Sequence, residues 1–205
     1  MADSLQKSAH APEFPVHIHL LGVVDFEDCI SLQRRLAYDA LTRGDGRVVV
    51  LLCKHPPIIT IGRSGSRADV KLTGAELVHR ELEIRYVNRG GGAILHAPGQ
   101  LAIYPIVPLQ QHGWSIGDYL RRLQKALADL LIELNVKPAP VPGSLALAGK
   151  SGVLAAIGVS VRQGVTMHGA FLNVNPEMRR LFMAGTLVLL SPGGISFRLA
   201  AAMMG

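Results

Sequence analysis

Asn88 to Leu109 run NRGGGAILHAPGQLAIYPIVPL. Three consecutive glycines, Gly90 to Gly92, remove side chains where a ligand or another stretch of backbone can approach closely. Amides freed in this way can aim at an oxyanion or a carboxyl group. Arg89 beside them offers a fixed positive charge, and His96 a titratable donor or acceptor. Pro98-Gly99 predicts a tight turn that holds His96 in one orientation. On spacing alone the stretch reads as a glycine-rich hairpin between two strands, because an isolated glycine cluster is a weak signal. A Walker loop is excluded, since no lysine and hydroxyl follow the glycines.

Upstream, VHIHLL at Val16 to Leu21 alternates and predicts an opening strand. His17 and His19 share one face of it, but two ligands without a third make a poor metal site. Asp25 is placed to cap a helix reaching Thr42, with Phe26, Cys29, Leu36, Ala37, Ala40 and Leu41 as its apolar stripe. RVVVLLC, Arg47 to Cys53, suits a strand buried on both faces. His55-Pro56-Pro57 stops it, because proline cannot donate to a ladder, and IITIG at Ile58 to Gly62 resumes as a second strand. Downstream, Ser115 and Asp118 open a helix to Leu134. Its apolar face is Ile116, Tyr119, Leu120, Leu123, Leu127, Leu130, Leu131 and Leu134. LAAIGVSV, Leu154 to Val161, reads as a strand, with FLNVN at Phe171 to Asn175 as its partner. The order of elements predicts an α+β domain, a mixed β-sheet packed with helices, across the whole chain with residues 1–14 as a tail.

At 205 residues, 49% hydrophobic and 18% charged, the chain is long enough to bury a core. Residues 1–12 lack an apolar run, so no secretory signal is read there. The longest apolar stretch, Leu181 to Leu190, contains Gly185 and falls short of the roughly 20 residues a membrane span needs. Only Cys29 and Cys53 are present, too few for a disulfide framework, and both read as small buried hydrophobes. These features predict a cytoplasmic protein. A net charge of +6 favours acidic partners, and the 5% aromatic content argues against nucleic acid.

RGGGAILHAPGQLAIYP resembles the RGGxxxYHGPGQxxxYP signature of the lipoate-biosynthesis octanoyl transferases, within the biotin and lipoate protein ligase superfamily. Arg89, Gly90, Gly91, His96, Pro98, Gly99, Gln100, Tyr104 and Pro105 match it, while Leu95 replaces a tyrosine and Ala97 a glycine. LAAIGVSVRQGVTMHGAFLNVN resembles a second family block, matching at Ala155 to Val159, Val161, Arg162, Gly164 to Thr166, His168, Gly169, Asn173 and Val174. HPPIITIGRSG, His55 to Gly65, resembles a third. The resemblance implies a biotinyl/lipoyl ligase-like domain that needs no cofactor. It implies movement of an octanoyl group from octanoyl-acyl carrier protein to a lysine of a lipoyl domain. Such domains belong to 2-oxoacid dehydrogenase complexes or to the glycine cleavage H protein. It assigns acyl binding to Arg89, Gly90, Gly91, Gly92, Ala93, Ile94, Leu95 and His96. It adds Ala156, Ile157 and Gly158, and then His168, Gly169, Ala170 and Phe171.

The family's reaction passes through a cysteine thioester, with a nearby lysine favouring the thiolate. In this chain Val153 stands at the lysine's place and Lys150 lies three residues earlier, as a loop lysine. Gly193, in Pro192-Gly193-Gly194, stands at the cysteine's place. Ser191 would need an adjacent base, for which His168 is the candidate. Three functions follow as expectations: acyl transfer between carriers, an ATP-dependent lipoate or biotin ligase, or a noncatalytic module that binds acyl chains or lipoyl domains.

Overall fold

The structure is a computed structural model and describes residues 14–150 and 152–174. It is built from β1 (Val16–Val23), α1 (Phe26–Arg43), β2 (Val48–Lys54), β3 (Ile58–Ile61), α2 (Gly74–His79), β4 (Glu83–Tyr86) and β5 (Ala93–His96). There follow β6 (Gln100–Ile106), α3 (Ile116–Glu133), β7 (Ala139–Pro140), β8 (Leu147–Gly149), β9 (Gly152–Arg162) and β10 (Val165–Asn173). The large sheet has the order β1-β2-β6-β10-β9-β8-β7 and the small one β4-β3-β5. β1–β2 and β3–β4 are parallel, and the other pairs are antiparallel. The architecture is therefore α+β with mixed sheets, as expected.

Local chemistry sets the helix ends. Asp25 accepts hydrogen bonds from the amides of Glu27 and Asp28, and Gly44 closes α1 in the left-handed conformation. A cap of this kind stabilises a helix by about 1 kcal/mol. Ser115 and Asp118 satisfy each other's backbone amides in a capping box at the start of α3. Thr73 and Glu76 do the same for α2, a TxxE signal that reading by apolar periodicity passed over.

α1 lies against one face of the large sheet, where Cys29 and Ala37 meet Leu51, Cys53, Tyr104, Ile106, Met167 and Phe171. α3 covers the other face with Leu127 and Leu131 against Leu147, Ala155, Ala170 and Leu172. The expected stripes are narrower than read. Leu41, Ile116, Leu130 and Leu134 are exposed, whereas Ile30 and Gln33 are buried. β2 is not buried on both faces: Leu51 and Cys53 are, but Val48, Val49, Val50 and Leu52 are only half-buried. α3 packs over the β8–β10 side of the sheet, so β2, one strand from the edge, has full cover only from α1. His17 and His19 are exposed on β1, which is the edge strand.

The glycine triplet does not sit inside a hairpin. It joins β4 to β5 as coil, and the tight turn at Pro98-Gly99 carries the chain from the small sheet to the large one. β9 and β10 do form a hairpin, turning at Gln163 and Gly164 with φ of 50° and 79°. The FLNVN stretch pairs with β9 as expected, its Phe171 opposite Ala156, though β10 runs from Val165 to Asn173. Leu181 to Leu190, Ser191 and Pro192-Gly193-Gly194 lie outside the described residues.

Candidate functional site

The triplet is laced between the two sheets by its backbone. Gly62, Arg63 and Ser64 donate amides to the carbonyls of Gly92, Arg89 and Gly91, and the Gly90 amide donates to Val159 on β9 at 2.9 Å. This draws Arg89 under the β9–β10 hairpin. There a side chain at Gly158 would have its Cβ 2.9 Å from Arg89 Cδ and from the Gly90 carbonyl oxygen, closer than real Cβ contacts allow. Gly91 has φ 83°, which favours glycine for its backbone alone.

Arg89 is fully buried. Its Nη2 donates to the carbonyl of Thr60 at 3.1 Å and to Thr60 Oγ1 at 2.8 Å, and its Nη1 donates to the carbonyl of Gly90 at 2.9 Å. Its Nε is buried without a partner, and no carboxylate pairs with it among the described residues. Burial lowers its pKa to about 10. A buried cation without a counter-charge is costly, so its retention points to an anionic or strongly polar guest.

From Arg89 a relay of hydrogen bonds crosses the site. Thr60 Oγ1 accepts from Arg89 and donates to His96 Nε2 at 2.9 Å. His96 Nδ1–H donates to Gln100 Oε1 at 2.8 Å, the tautomer this network requires. Gln100 Nε2 donates to Asn173 Oδ1 at 3.0 Å, and Asn173 Nδ2 to the carbonyl of Val153 at 3.0 Å. Burial holds His96 well below the usual histidine range, and Arg89 and His55 push it further. His96 is thus neutral, with both nitrogens committed. It positions Thr60 and Arg89 and is not free to shuttle protons.

His168 differs. It sits on β10 with φ 57°, unusual outside glycine. Its amide donates to Gln33 Oε1 at 2.7 Å, and its buried Nδ1 has no partner. Its pKa falls to about 4 through burial, with repulsion from Arg89 and Arg34 adding. Backbone strain and an open ring nitrogen thus coincide at His168. Aromatic rings enclose this region: Phe171 lies 4.4 Å from His96, and Phe26 packs against His55, His96 and His168 at 5.2, 5.7 and 6.5 Å.

Of the positions named from sequence, Arg89, Gly90, His96, Ala156, Gly158, His168, Gly169 and Phe171 converge through the β9–β10 pairing and the Gly90–Val159 bond, whereas Ile157 and Ala170 pack on the α3 face. Strand alternation separates the others. Ile94 joins the core beneath α1, whereas Ala93 and Leu95 pack in the small sheet's own core with Ile59, Ile61, Val70 and Leu72. Gly91 is exposed and Gly92 buried beside Gly65. Val153 is buried against Val141 and Ala146, and Lys150 is exposed in the β8–β9 connection. Thr60, Gln33, His55 and Asn173 were not read as site residues. His55, Thr60 and Asn173 nevertheless lie in the stretches that resemble the family, while Gln33 offered only a polar side chain on an apolar stripe.

Residues 25–186 match the family model described as the lipoyl protein ligase A/B catalytic domain. The octanoyltransferase of Geotalea uraniireducens is 37% identical over 158 residues, covering 77% of this chain and 70% of that protein. The octanoyltransferase of Chloroflexus aggregans is 36% identical over 186 residues, covering 88% and 80%. Among solved structures, a bi-partite lipoate protein ligase from Thermoplasma acidophilum superposes with a TM-score of 0.61 at 14% identity, over 88% of this chain and 68% of that one. Lipoate-protein ligase A bound with ATP gives 0.58 at 15% identity, over 83% and 70%. At such identities the structures share a fold, while the sequence matches, spread over most of the chain, place it more narrowly: the chain belongs to the lipoyl protein ligase A/B catalytic domain family.

Proposed function

We propose that this chain holds an octanoyl group in protein lipoylation, in the acyl transfer that carries octanoate from acyl carrier protein to a lysine of a lipoyl domain. The observation that carries the reading is the buried Arg89 guanidinium, its Nε unpartnered, where the three family-like segments meet. A carboxylate or a carbonyl oxygen that gains negative charge is the guest such a cation takes, and a low-dielectric site makes the interaction strong. The aliphatic tail is met by Phe26, Phe171 and the small residues Ala156 and Gly158. The octanoyltransferase relatives support the substrate, and the chain's charge of +6 suits acidic carriers.

In the family the group rests on a cysteine during transfer. Here Val153 and Gly193 stand at the places of the lysine and the cysteine, and Val153 is a buried side chain among apolar neighbours. That observation favours a second reading, a protein that binds the acyl group and its carriers without forming the thioester. Intact-mass analysis after mixing with octanoyl-acyl carrier protein and an apo lipoyl domain separates the readings. Octanoyl on the lipoyl domain without ATP supports transfer. Octanoyl on the domain only when free octanoate and ATP are supplied indicates ligase chemistry. Ligand binding with no acyl product indicates the binding module. A folded chain that neither binds octanoate nor modifies the domain refutes the proposal.

A further inference from the structure

At the edge of this site, α1, β2 and the residue after β2 bring both cysteines of the chain together with a histidine. Cys29 Sγ lies 3.8 Å from Cys53 Sγ, Cys53 Sγ lies 3.7 Å from His55 Nε2, and all three ligand atoms fall within 4.8 Å of one another. All three residues are buried. Zinc bound to thiolates at about 2.3 Å and to imidazole at about 2.0–2.1 Å in a tetrahedron spaces its donors by about 3.6–3.8 Å, which is the spacing observed on two edges. His55 Nδ1–H donates to the carbonyl of Val24 at 2.8 Å. That bond fixes the tautomer and turns the Nε2 lone pair inward, the outer support that metal-binding histidines carry. The Tyr104 hydroxyl donates to the same nitrogen at 2.8 Å, a hydrogen bond that the ion would replace. Gln33 Nε2 is 3.7 Å from Cys29 Sγ, an N–H aimed at a sulfur that would carry charge as a thiolate.

We propose that Cys29, Cys53 and His55 form a binding site for a thiophilic d10 cation, with zinc as the fitting ion. Two thiolates balance the ion's two charges, so the buried complex is neutral, and binding releases the two thiol protons to solvent. A hollow of about 210 Å³ lined by Asp25, Glu81 and Glu83 also includes Phe26, whose ring packs on His55, and gives a cation an acidic approach. Because Gln33 touches both Cys29 and the His168 amide, the ion would brace α1 against the acyl site. Nothing in the proposed acyl reaction uses these thiols, so the two proposals stand or fall separately.

The test is titration of the reduced, metal-free full chain with Co²⁺ and then Zn²⁺. One equivalent of Co²⁺ should give thiolate-to-cobalt charge-transfer absorption that Zn²⁺ abolishes, and zinc should raise the Tm. Cys29→Ala and Cys53→Ala should each lose the absorption while keeping native circular dichroism. Absence of the band in the folded, reduced chain overturns the site, a result that needs no variant. Stoichiometric binding retained in both variants also overturns it, placing the ion elsewhere.

Discussion

Replacing Arg89 by methionine separates a ligand-facing cation from a structural strut. Burial lowers the Arg89 pKa to about 10, a net penalty of roughly 3 kcal/mol on the charged form at about 1.4 kcal/mol per pH unit. Against that stand its hydrogen bonds to the Thr60 carbonyl, Thr60 Oγ1 and the Gly90 carbonyl, each worth about 1.5 kcal/mol or more with a charged donor. Methionine fills similar volume, relieves the penalty and forfeits the bonds. The expected net loss of stability is about 1–2 kcal/mol, a fall in Tm of about 2–8 °C for a domain of this size. Octanoate should suffer more. Its charge-assisted hydrogen bond to the guanidinium is worth about 1.5–3 kcal/mol, so Kd should rise about 10-fold to 150-fold. Calorimetry on the folded variant gives the affinity, and thermal unfolding gives the stability. Unchanged octanoate affinity refutes the anion-site reading. A variant that fails to fold shows instead that Arg89 is structural, contrary to the balance of terms above.

Stability should also fall in acid. His55, His96 and His168 are each held neutral by burial, so below the ordinary histidine range the unfolded chain binds protons that the folded chain refuses. The sign is fixed: this stability is complete above about pH 6.5 and drains as pH falls toward the His168 value of about 4. With three such groups the slope approaches about 4 kcal/mol per pH unit in denaturant titrations, and a flat profile between pH 7 and 5 contradicts the buried-neutral assignment. Gly158→Ala should destabilise by about 1–3 kcal/mol and weaken octanoate binding, because its methyl meets Arg89 Cδ and the Gly90 carbonyl; wild-type Tm and affinity would show that this approach is not tight. Gly193→Cys with Val153→Lys should give an octanoyl-enzyme detected as a mass increase labile to hydroxylamine. Cysteine alone should give less, since a free thiol with a pKa of about 8.5 is mostly protonated at neutral pH. Burying the lysine among Val141 and Ala146 should cost about 4 kcal/mol or more, from a shift of about 3–5 pH units at about 1.4 kcal/mol each, and no adduct on a folded double variant would break the alignment at Gly193.

Much of the fold was legible because its signals are local. Asp25 and Ser115 announce helix starts through their own side chains, and the apolar runs at Val48 and Leu154 are strands whatever surrounds them. Arg89, Gly90, His96, Gly158 and His168 could be singled out through spacing shared with a family, and the fold brings them together. Beyond the β9–β10 hairpin, strand pairing was not legible, since most strands choose partners by contacts distant in sequence. Nothing in AILHAPGQLAIYP says that its two strands enter different sheets, or that alternation turns Ala93 and Leu95 away from Ile94 and His96. The half-cover of β2 depends on where α3 packs, and only the assembled layers decide that. Cys29 and Cys53, read singly, are small hydrophobes. A helix laid on a strand 24 residues later brings their sulfurs to 3.8 Å beside His55. The sequence determined which groups the chain carries. Tertiary structure decided which of them meet, because burial and hydrogen-bond partners are properties of the packed chain and not of any residue alone.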